Sequence, residues 1–565
     1  MYGTLTDNSK KHFQRLWFAI ALNFVILVFL YAVFYPQYDT NDDFGICNIV
    51  NGSKGSFDAH IIYSNYLLGL IYKCLYSITI SIPWYPIMHY AAMFSGFTAM
   101  TYVLLNRLKQ SQAVWVIAGF LLFFGYEGYI LMQFTRTSGI ATAGGLMLMF
   151  WALCNDNSAS QRTKVVQIIA GGVITLMGFM FREGQFVAVA GVMSAIGIML
   201  LLELPQRQKG ERAKQLGLIL CAFILLFGIA GGLKLVDKQA YTSEAWQEYR
   251  DYNNARSSLY DHGFPSYSGY EDEYEELGIN ENAKNYYRQW NHIDLSAEQM
   301  REIASWNESE TGVIINSHYV ARFIRTMAKG YLARPVFFLF LAIVLLWILR
   351  GRKNPVTITG IAYAAVVIIG LNFYMFMMER YLKDRVDVGI IMAACLVILW
   401  TLRNDRPLFS HKTGAVILAL VILASQLCWH DNWRVNAADR ITKMENKRVV
   451  AEAMAEDKEH LYLNKAVGFS YSDAYGVFDT IPYGISENVF TLGGWTAMMP
   501  SNQEKLDRYG IKDVYSDSIN NDKVYIIDKD IDTTIQYIRD YYDADAKAEK
   551  VFEIGAYPVY KLTDH

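Results

Sequence analysis

LWFAIALNFVILVFLYAVFY (16–35), followed at once by PQYDTNDDFGI (36–46), is the stretch on which the fold turns. The first part is an uncharged apolar block long enough, at about 1.5 Å per helical residue, to cross the roughly 30 Å hydrocarbon layer of a bilayer. Lys10, Lys11 and Arg15 precede it, and no small-residue cleavage site follows, so it reads as a retained first membrane helix and not as a removed leader. Positive charge before a first span places the N-terminus in the cytoplasm. The second part, with Asp39, Asp42 and Asp43, then emerges on the far side.

The rest of the chain repeats the pattern. Of 565 residues 53% are hydrophobic and only 19% charged, and the apolar ones come in blocks separated by short charged stretches, as expected where lipid and not a globular core takes up apolar surface. Candidate spans are 16–35, 85–105, 113–132, 138–153, 165–181, 186–202, 216–233, 335–349, 356–376, 387–402 and 413–429, which predicts an α-helical polytopic membrane protein of about eleven spans. The connections on the N-terminal side hold Arg107 and Lys109, then Arg162 and Lys164, then Arg207, Lys209, Arg212 and Lys214, then Arg350, Arg352 and Lys353, and finally Arg403, Arg406 and Lys412. Every connection on that side is basic, so it is the cytoplasmic one. The net charge of −3 decides little, because opposite charges are sorted to opposite sides. Six scattered cysteines without a CxxC pair read as packing residues.

Residues 57–80 are apolar but carry Asp58, His60 and Lys73, and counting them as a span would invert every later loop; an amphipathic helix at the outer interface is expected there. The resulting organisation is a transmembrane module over 1–233 with a first external loop at 36–84, an external insertion at 234–334, a second transmembrane module at 335–429 and an external domain at 430–565. From Asp237 to Glu310 the insertion has 16 acidic residues against 6 basic ones and is dense in tyrosine. Its rings can stack on sugars or pack a small helical domain. In the C-terminal region a helical pattern over 437–458 precedes the strand-like HLYLNKA and VYIID, the helical DTTIQYIRDYY, and the strand-like KVFEI and YPVYKL, so a small α/β domain is expected.

Two charge groups face the external side. Asp42 and Asp43 can supply a general base for an acceptor hydroxyl or hold a divalent cation such as Mg or Mn, and DTNDD also suits a plain solvated turn. Arg136, Arg182, Glu183, Arg380, Lys383 and Arg385 stand where the orientation rule calls for few cations. They can pair internally, Glu379 with Arg380 or Lys383, Asp384 with Arg385 and Arg182 with Glu183, or bind an anionic head group through the planar guanidinium fork. The chain has no GxxxxGK[ST], no GxGxxG after a strand, no HExxH and no CxxC, so ATP hydrolysis, dinucleotide binding and zinc proteolysis lack support. The AGG triplets at 143–145, 170–172 and 230–232 read as close helix packing. No nucleic acid is expected as a partner.

The layout of an N-terminus inside, an acidic pair just after the first span, an amphipathic helix in that loop, about eleven spans and an external α/β domain resembles the GT-C superfamily of membrane glycosyltransferases. YDTNDDFGI through YSNYLLGLIYKCLYSITISIPWY, and NNARSSLYDHGFPSYSGYEDEYEELGI, also resemble large membrane proteins of Gram-positive bacteria. The resemblance implies a GT-C-like fold in the cell membrane and transfer of a sugar from a polyprenyl (di)phosphate to a cell-envelope glycan on the outer face. It also implies a catalytic or metal-binding role for Asp42 and Asp43. Asp39, Glu183 and the external cations would then contact substrate. The acidic insertion departs from the superfamily's general pattern. The competing expectation is a non-enzymatic flippase for lipid-linked glycans or an envelope-assembly partner.

Overall fold

The computed structural model describes residues 7–108, 111–154, 159–206, 209–307, 315–378, 383–402 and 408–564. Among residues singled out above, Lys109, Arg207, Glu379, Arg380, Arg403 and Arg406 lie outside the described residues. In chain order, α1 (Asp7–Val33) leads into β1 (Gln37–Tyr38), α2 (Asn41–Val50), α3 (Tyr66–Ile78), α4 (Trp84–Leu108) and α5 (Ala113–Gly125). The last runs on as a π turn over Tyr126–Ile130 into β2 (Leu131–Met132). There follow α6 (Phe134–Leu153), α7 (Gln161–Phe181), α8 (Glu183–Glu203) and α9 (Lys209–Ala240). The insertion forms α10 (Glu244–His262), α11 (Glu271–Glu276), α12 (Glu281–Arg288), α13 (Ala297–Ser305) and α14 (Ser317–Leu332). Then come α15 (Pro335–Arg350), α16 (Pro355–Met377), α17 (Asp384–Trp400) and α18 (His411–Cys428). The C-terminal region holds α19 (Ala438–Glu456), β3 (Leu461–Asn464), β4 (Val489–Thr491), α20 (Pro500–Arg508), β5 (Val524–Ile527), α21 (Ile531–Tyr541), β6 (Lys547–Ile554) and β7 (Tyr557–Thr563).

A helix thus occupies each of the apolar segments marked as spans. Among the described residues, seven helices are long and apolar enough to cross a membrane, and α14 with α15, bent by 96°, makes an eighth if the pair is one span. Their outer faces explain the composition. Val25 and Val28 on α1, Val166 and Ile169 on α7, Ile224 and Leu225 on α9, Val366 on α16 and Leu420 on α18 are all exposed. Apolar side chains left open at that density belong against lipid, so the chain is a multi-pass membrane protein. The more polar α6 is instead buried along its whole length, between α4, α7, α8 and α17. It approaches α7 backbone to backbone: a Cβ on Gly145 would stand 2.5 Å from Gly171 O, so the first two AGG triplets are packing devices. The third is not; a Cβ on Gly231 or Gly232 would meet nothing within 4 Å.

Connections sort to the two ends of the bundle. At one end Gly351 bridges Leu402, Arg107 Nε donates to Trp400 O at 2.8 Å and Ser111 lies 3.0 Å from His411 Nε2. At the other, β1 pairs with β2, Phe34 bridges Trp433, Asn65 N–H donates to Met180 O at 2.8 Å, and His60 Nε2 lies 3.2 Å from Ala240 O. The first loop, the insertion and the C-terminal region therefore share one end.

Three expectations change. Residues 57–80 do not form one helix: α3 begins only at Tyr66, capped by Asn65, which accepts from Leu67 N–H at 3.0 Å. The polar residues before it close a turn, Asp58 accepting from His60, whose ring stacks on Trp246 of α10 at 4.3 Å. Membrane helix α9 extends beyond 233 to Ala240, and α14 is an amphipathic helix with Arg322, Arg325 and Lys329 beside exposed Val320 and Ile324. Finally, α10–α13 share one hydrophobic core with the C-terminal sheet: Tyr274, Tyr286, Leu295 and Ile303 pack with Leu461, Leu463, Phe490 and Tyr537. That sheet has the order β4-β3-β5-β7-β6, parallel through β5 and antiparallel from there on.

Candidate functional site

The acidic turn is fixed by backbone before any side chain acts. Gln37 pairs with Leu131 and Tyr38 with Met132, and Asp39 N–H donates to Met132 O at 3.0 Å. Helix α2 then starts, with Asp42 and Asp43 in its first turn, where carboxylates suit the positive helix end. Successive helical residues point about 100° apart, so the two aspartates diverge.

Asp43 turns inward and is fully buried. Its Oδ1 accepts from Tyr85 Oη at 2.9 Å and from Phe134 N–H at 2.9 Å, tying α2 to α4 and α6. Burial drives this carboxyl well above the usual carboxylate range against both donors. Asp42 turns the other way and keeps 22% of its side chain exposed. Burial raises its carboxyl too, while Arg385, Arg182 and Arg256 and the indole N–H of Trp495 pull it back. The two carboxyl groups therefore stand in different surroundings. Among the described residues no group of three or more His, Cys, Asp or Glu is placed to hold a metal ion.

Around Asp42 three guanidinium groups converge from three separate elements. Arg385, in the first turn of α17, lies 4.0 Å from Asp42 Oδ2 and is 30% exposed. Arg182, between α7 and α8, donates to Tyr63 O at 3.2 Å and sits over the rings of Tyr63 and Phe134 at 5.4 and 5.6 Å. Arg256, on α10, is held by Asn253 Oδ1 at 2.9 Å and lies over Trp290. Of the internal pairs that the sequence allows, Arg182 with Glu183 and Asp384 with Arg385 do not form, and Glu379 lies outside the described residues. Glu183 binds Lys234, Asp384 and Asp387 both bind Arg334, and among the described residues no carboxylate pairs with Arg182. Lys383, exposed at the start of α17, has no ion pair among them either. Arg380 lies outside the described residues.

Arg136 is not an open cation. It is 3% exposed, its guanidinium binds the Glu127 carboxylate and donates to Glu127 O at 3.1 Å, and it lies 3.3 Å from Asp39 Oδ2. Glu127 sits in the π turn after α5, which aims it back at α6. Asp39, Glu127 and Arg136 close an ionic cluster that holds the acidic turn from below.

The last wall is the loop LGGWTAMM (492–499) between β4 and α20. Gly493 passes so close to Trp290 O that any Cβ there would overlap it. Gly494, at φ +82°, donates N–H to His292 Nε2 at 3.1 Å. His292 therefore carries its proton on Nδ1, facing Tyr252 Oη at 2.7 Å, and burial lowers its pKa to about 3. The loop thereby carries Trp495 over Gly45 of α2 and against Tyr63, at 5.0 Å between rings.

No protein-family profile and no curated protein matches the chain. One solved structure is similar across its length. It is the crystal structure of ArnT from Cupriavidus metallidurans bound to undecaprenyl phosphate, at 9% sequence identity and a TM-score of 0.39, covering 96% of this chain and 97% of that one. At that score the likeness carries no argument about the site.

Sequence reasoning singled out Asp42, Arg182 and Arg385, which the fold brings together, and missed Arg256, Trp495, Tyr63 and Glu127. Only the Gly-Gly-Trp following a strand was a local signal for any of these.

Proposed function

We propose that the protein is a membrane glycosyltransferase moving a sugar from a polyprenyl (di)phosphate to a cell-envelope glycan. The observation that carries this reading is the half-buried Asp42 facing Arg182, Arg385 and Arg256 at the membrane-proximal end shared by both soluble regions. Surplus positive charge beside one carboxylate suits a step in which a phosphate leaves while a hydroxyl loses its proton. Arg182 and Arg385 grip the donor phosphate through bidentate forks. The acceptor oxygen attacks the anomeric carbon, the carbon–oxygen bond to phosphate breaks with its electron pair going to the phosphate, and Asp42 takes the acceptor proton. One base and one leaving group imply inversion. Because the opposite end gathers the basic connections, the site faces the outside of the cell.

The test is transfer by purified protein in liposomes containing polyprenyl-phosphate-linked radiolabelled sugars. Asp42→Asn is expected to lower the rate by about 10²- to 10⁴-fold with an unchanged melting temperature. Arg385→Lys is expected to weaken donor binding with stability kept, since a point charge replaces a fork. Full activity in Asp42→Asn, or no transfer by the wild type from any polyprenyl-linked sugar, overturns the reading.

A further inference from the structure

A second concave site lies in the soluble region, away from Asp42. Where the insertion meets the C-terminal sheet, a cavity of about 190 Å³ opens. At about 30 Å³ per water it has room for roughly six waters, the scale of one sugar ring. Its walls combine two kinds of surface: the rings of Tyr515 and Tyr542 with the thioether of Met498, and the polar groups of Asp294, Gln503 and Lys512.

Asp294 is built in. Its Oδ2 accepts from Tyr542 Oη at 2.8 Å and also from Tyr537 Oη. Its Oδ1 is buried and has no hydrogen-bond partner among the described residues, an arrangement that is costly unless a donor arrives. Gln503 and Lys512 are exposed at the rim; Lys512 has no ion pair among the described residues, and Gln503 has only Asp507 at 3.2 Å.

We propose that this cavity binds one sugar residue of the acceptor glycan, at a distance along the chain from the hydroxyl that Asp42 deprotonates. Aromatic faces suit the C–H faces of a pyranose, and a carboxylate, an amide and an ammonium together offer the acceptors and donors that ring hydroxyls need. A lipid tail would leave Asp294 unanswered, and a phosphate would meet Asp294 and Asp513 with one lysine between them. The two sites share a wall: the loop that sets Trp495 beside Asp42 sets Met498 in this cavity three residues later. Acceptor binding in the cavity therefore steadies the loop that completes the Asp42 site.

This inference rests on the transferase reading, and the experiment separates the two. The probe is fluorescently labelled short oligosaccharides released from the cell wall of the expressing organism, titrated into full-length protein in detergent. Wild type and Asp42→Asn are expected to bind saturably and alike. Gln503→Ala and Lys512→Ala, both at exposed positions, are expected to weaken binding about 10-fold each, the loss of one hydrogen bond to a sugar. In the transfer assay the same variants are expected to raise KM for acceptor with kcat and the donor KM unchanged. No binding by the wild type, or wild-type affinity and acceptor KM in both variants, overturns the cavity and leaves the Asp42 reading standing. Saturable binding lost in the variants, with no transfer by the wild type, supports the cavity and overturns the transferase.

Discussion

Asp42 and Asp43 are adjacent in sequence and part ways within one helical turn. Asp43 spends its carboxylate on Tyr85 and on the first N–H of α6; Asp42 looks at arginines. Their variants should separate accordingly. Asp43→Ala strips a buried anchor from three helices and is expected to cost about 3 kcal/mol of stability. Asp43→Asn, which keeps an acceptor oxygen for both donors, is expected to hold the wild-type melting temperature and most of the transfer activity. Thermal unfolding of the two variants beside Asp42→Asn checks this, and a stable but inactive Asp43→Asn would move the base to the buried residue. A sequence shows that two carboxylates follow a span; it does not show which faces inward, because α2 is a helix that DTNDD, a good turn sequence, conceals. Likewise Arg385 stood out by its side of the membrane, while Arg256 and Trp495 come from hundreds of residues downstream, with nothing local to tie them to Asp42.

Among elements, long apolar periodicity was readable and short polar connections were not. In the C-terminal region β3 at Leu461–Asn464 and α21 at Ile531–Tyr541 lie where alternation placed them, whereas β4 at Val489–Thr491 and α20 at Pro500–Arg508 were not marked. The extent of α3 was not readable, since Asp58 and His60 are used in a tertiary turn against α10. The loop after β4 depends on a tertiary latch of the same kind, His292 accepting from Gly494. That latch makes the soluble region sensitive to acid. The folded pKa of His292 lies near 3, below its ordinary 6.5, so the unfolded chain binds the proton first. The latch's contribution is complete above pH 6.5 and is lost as pH falls towards 3, by about 2 kcal/mol at pH 5. Wild-type melting temperature is expected to drop between pH 7 and 5 more steeply than that of His292→Gln, which starts lower at pH 7. Parallel slopes would show that the latch does not titrate.

For the whole molecule, the alternation of basic connections anticipated an arrangement that the structure shows independently: the first loop, α10–α13 and the C-terminal sheet stand at one end of the bundle. It did not anticipate that the insertion and the C-terminal region form one core, because two amphipathic surfaces give no sign in sequence of which other surface they cover. In a cysteine-free background, single cysteines at Ser268 and Lys523 are expected to react with a membrane-impermeant thiol reagent on intact cells, and one at Arg162 only after permeabilisation. All three positions are exposed. Labelling of Ser268 and Lys523 from opposite sides would break the shared end.

The first loop is also gripped by the last part of the chain. Gly484 N–H donates to Gly52 O at 2.9 Å, Ser486 N–H to Ser53 O at 2.8 Å, and Phe44 stacks on Tyr475. A ribosome makes the first loop more than four hundred residues before these partners. Throughout that interval a growing chain threads its helices into the bilayer with the acidic loop unfinished. A polypeptide released early, however well inserted, therefore carries the Asp42 carboxylate without the Trp495 wall.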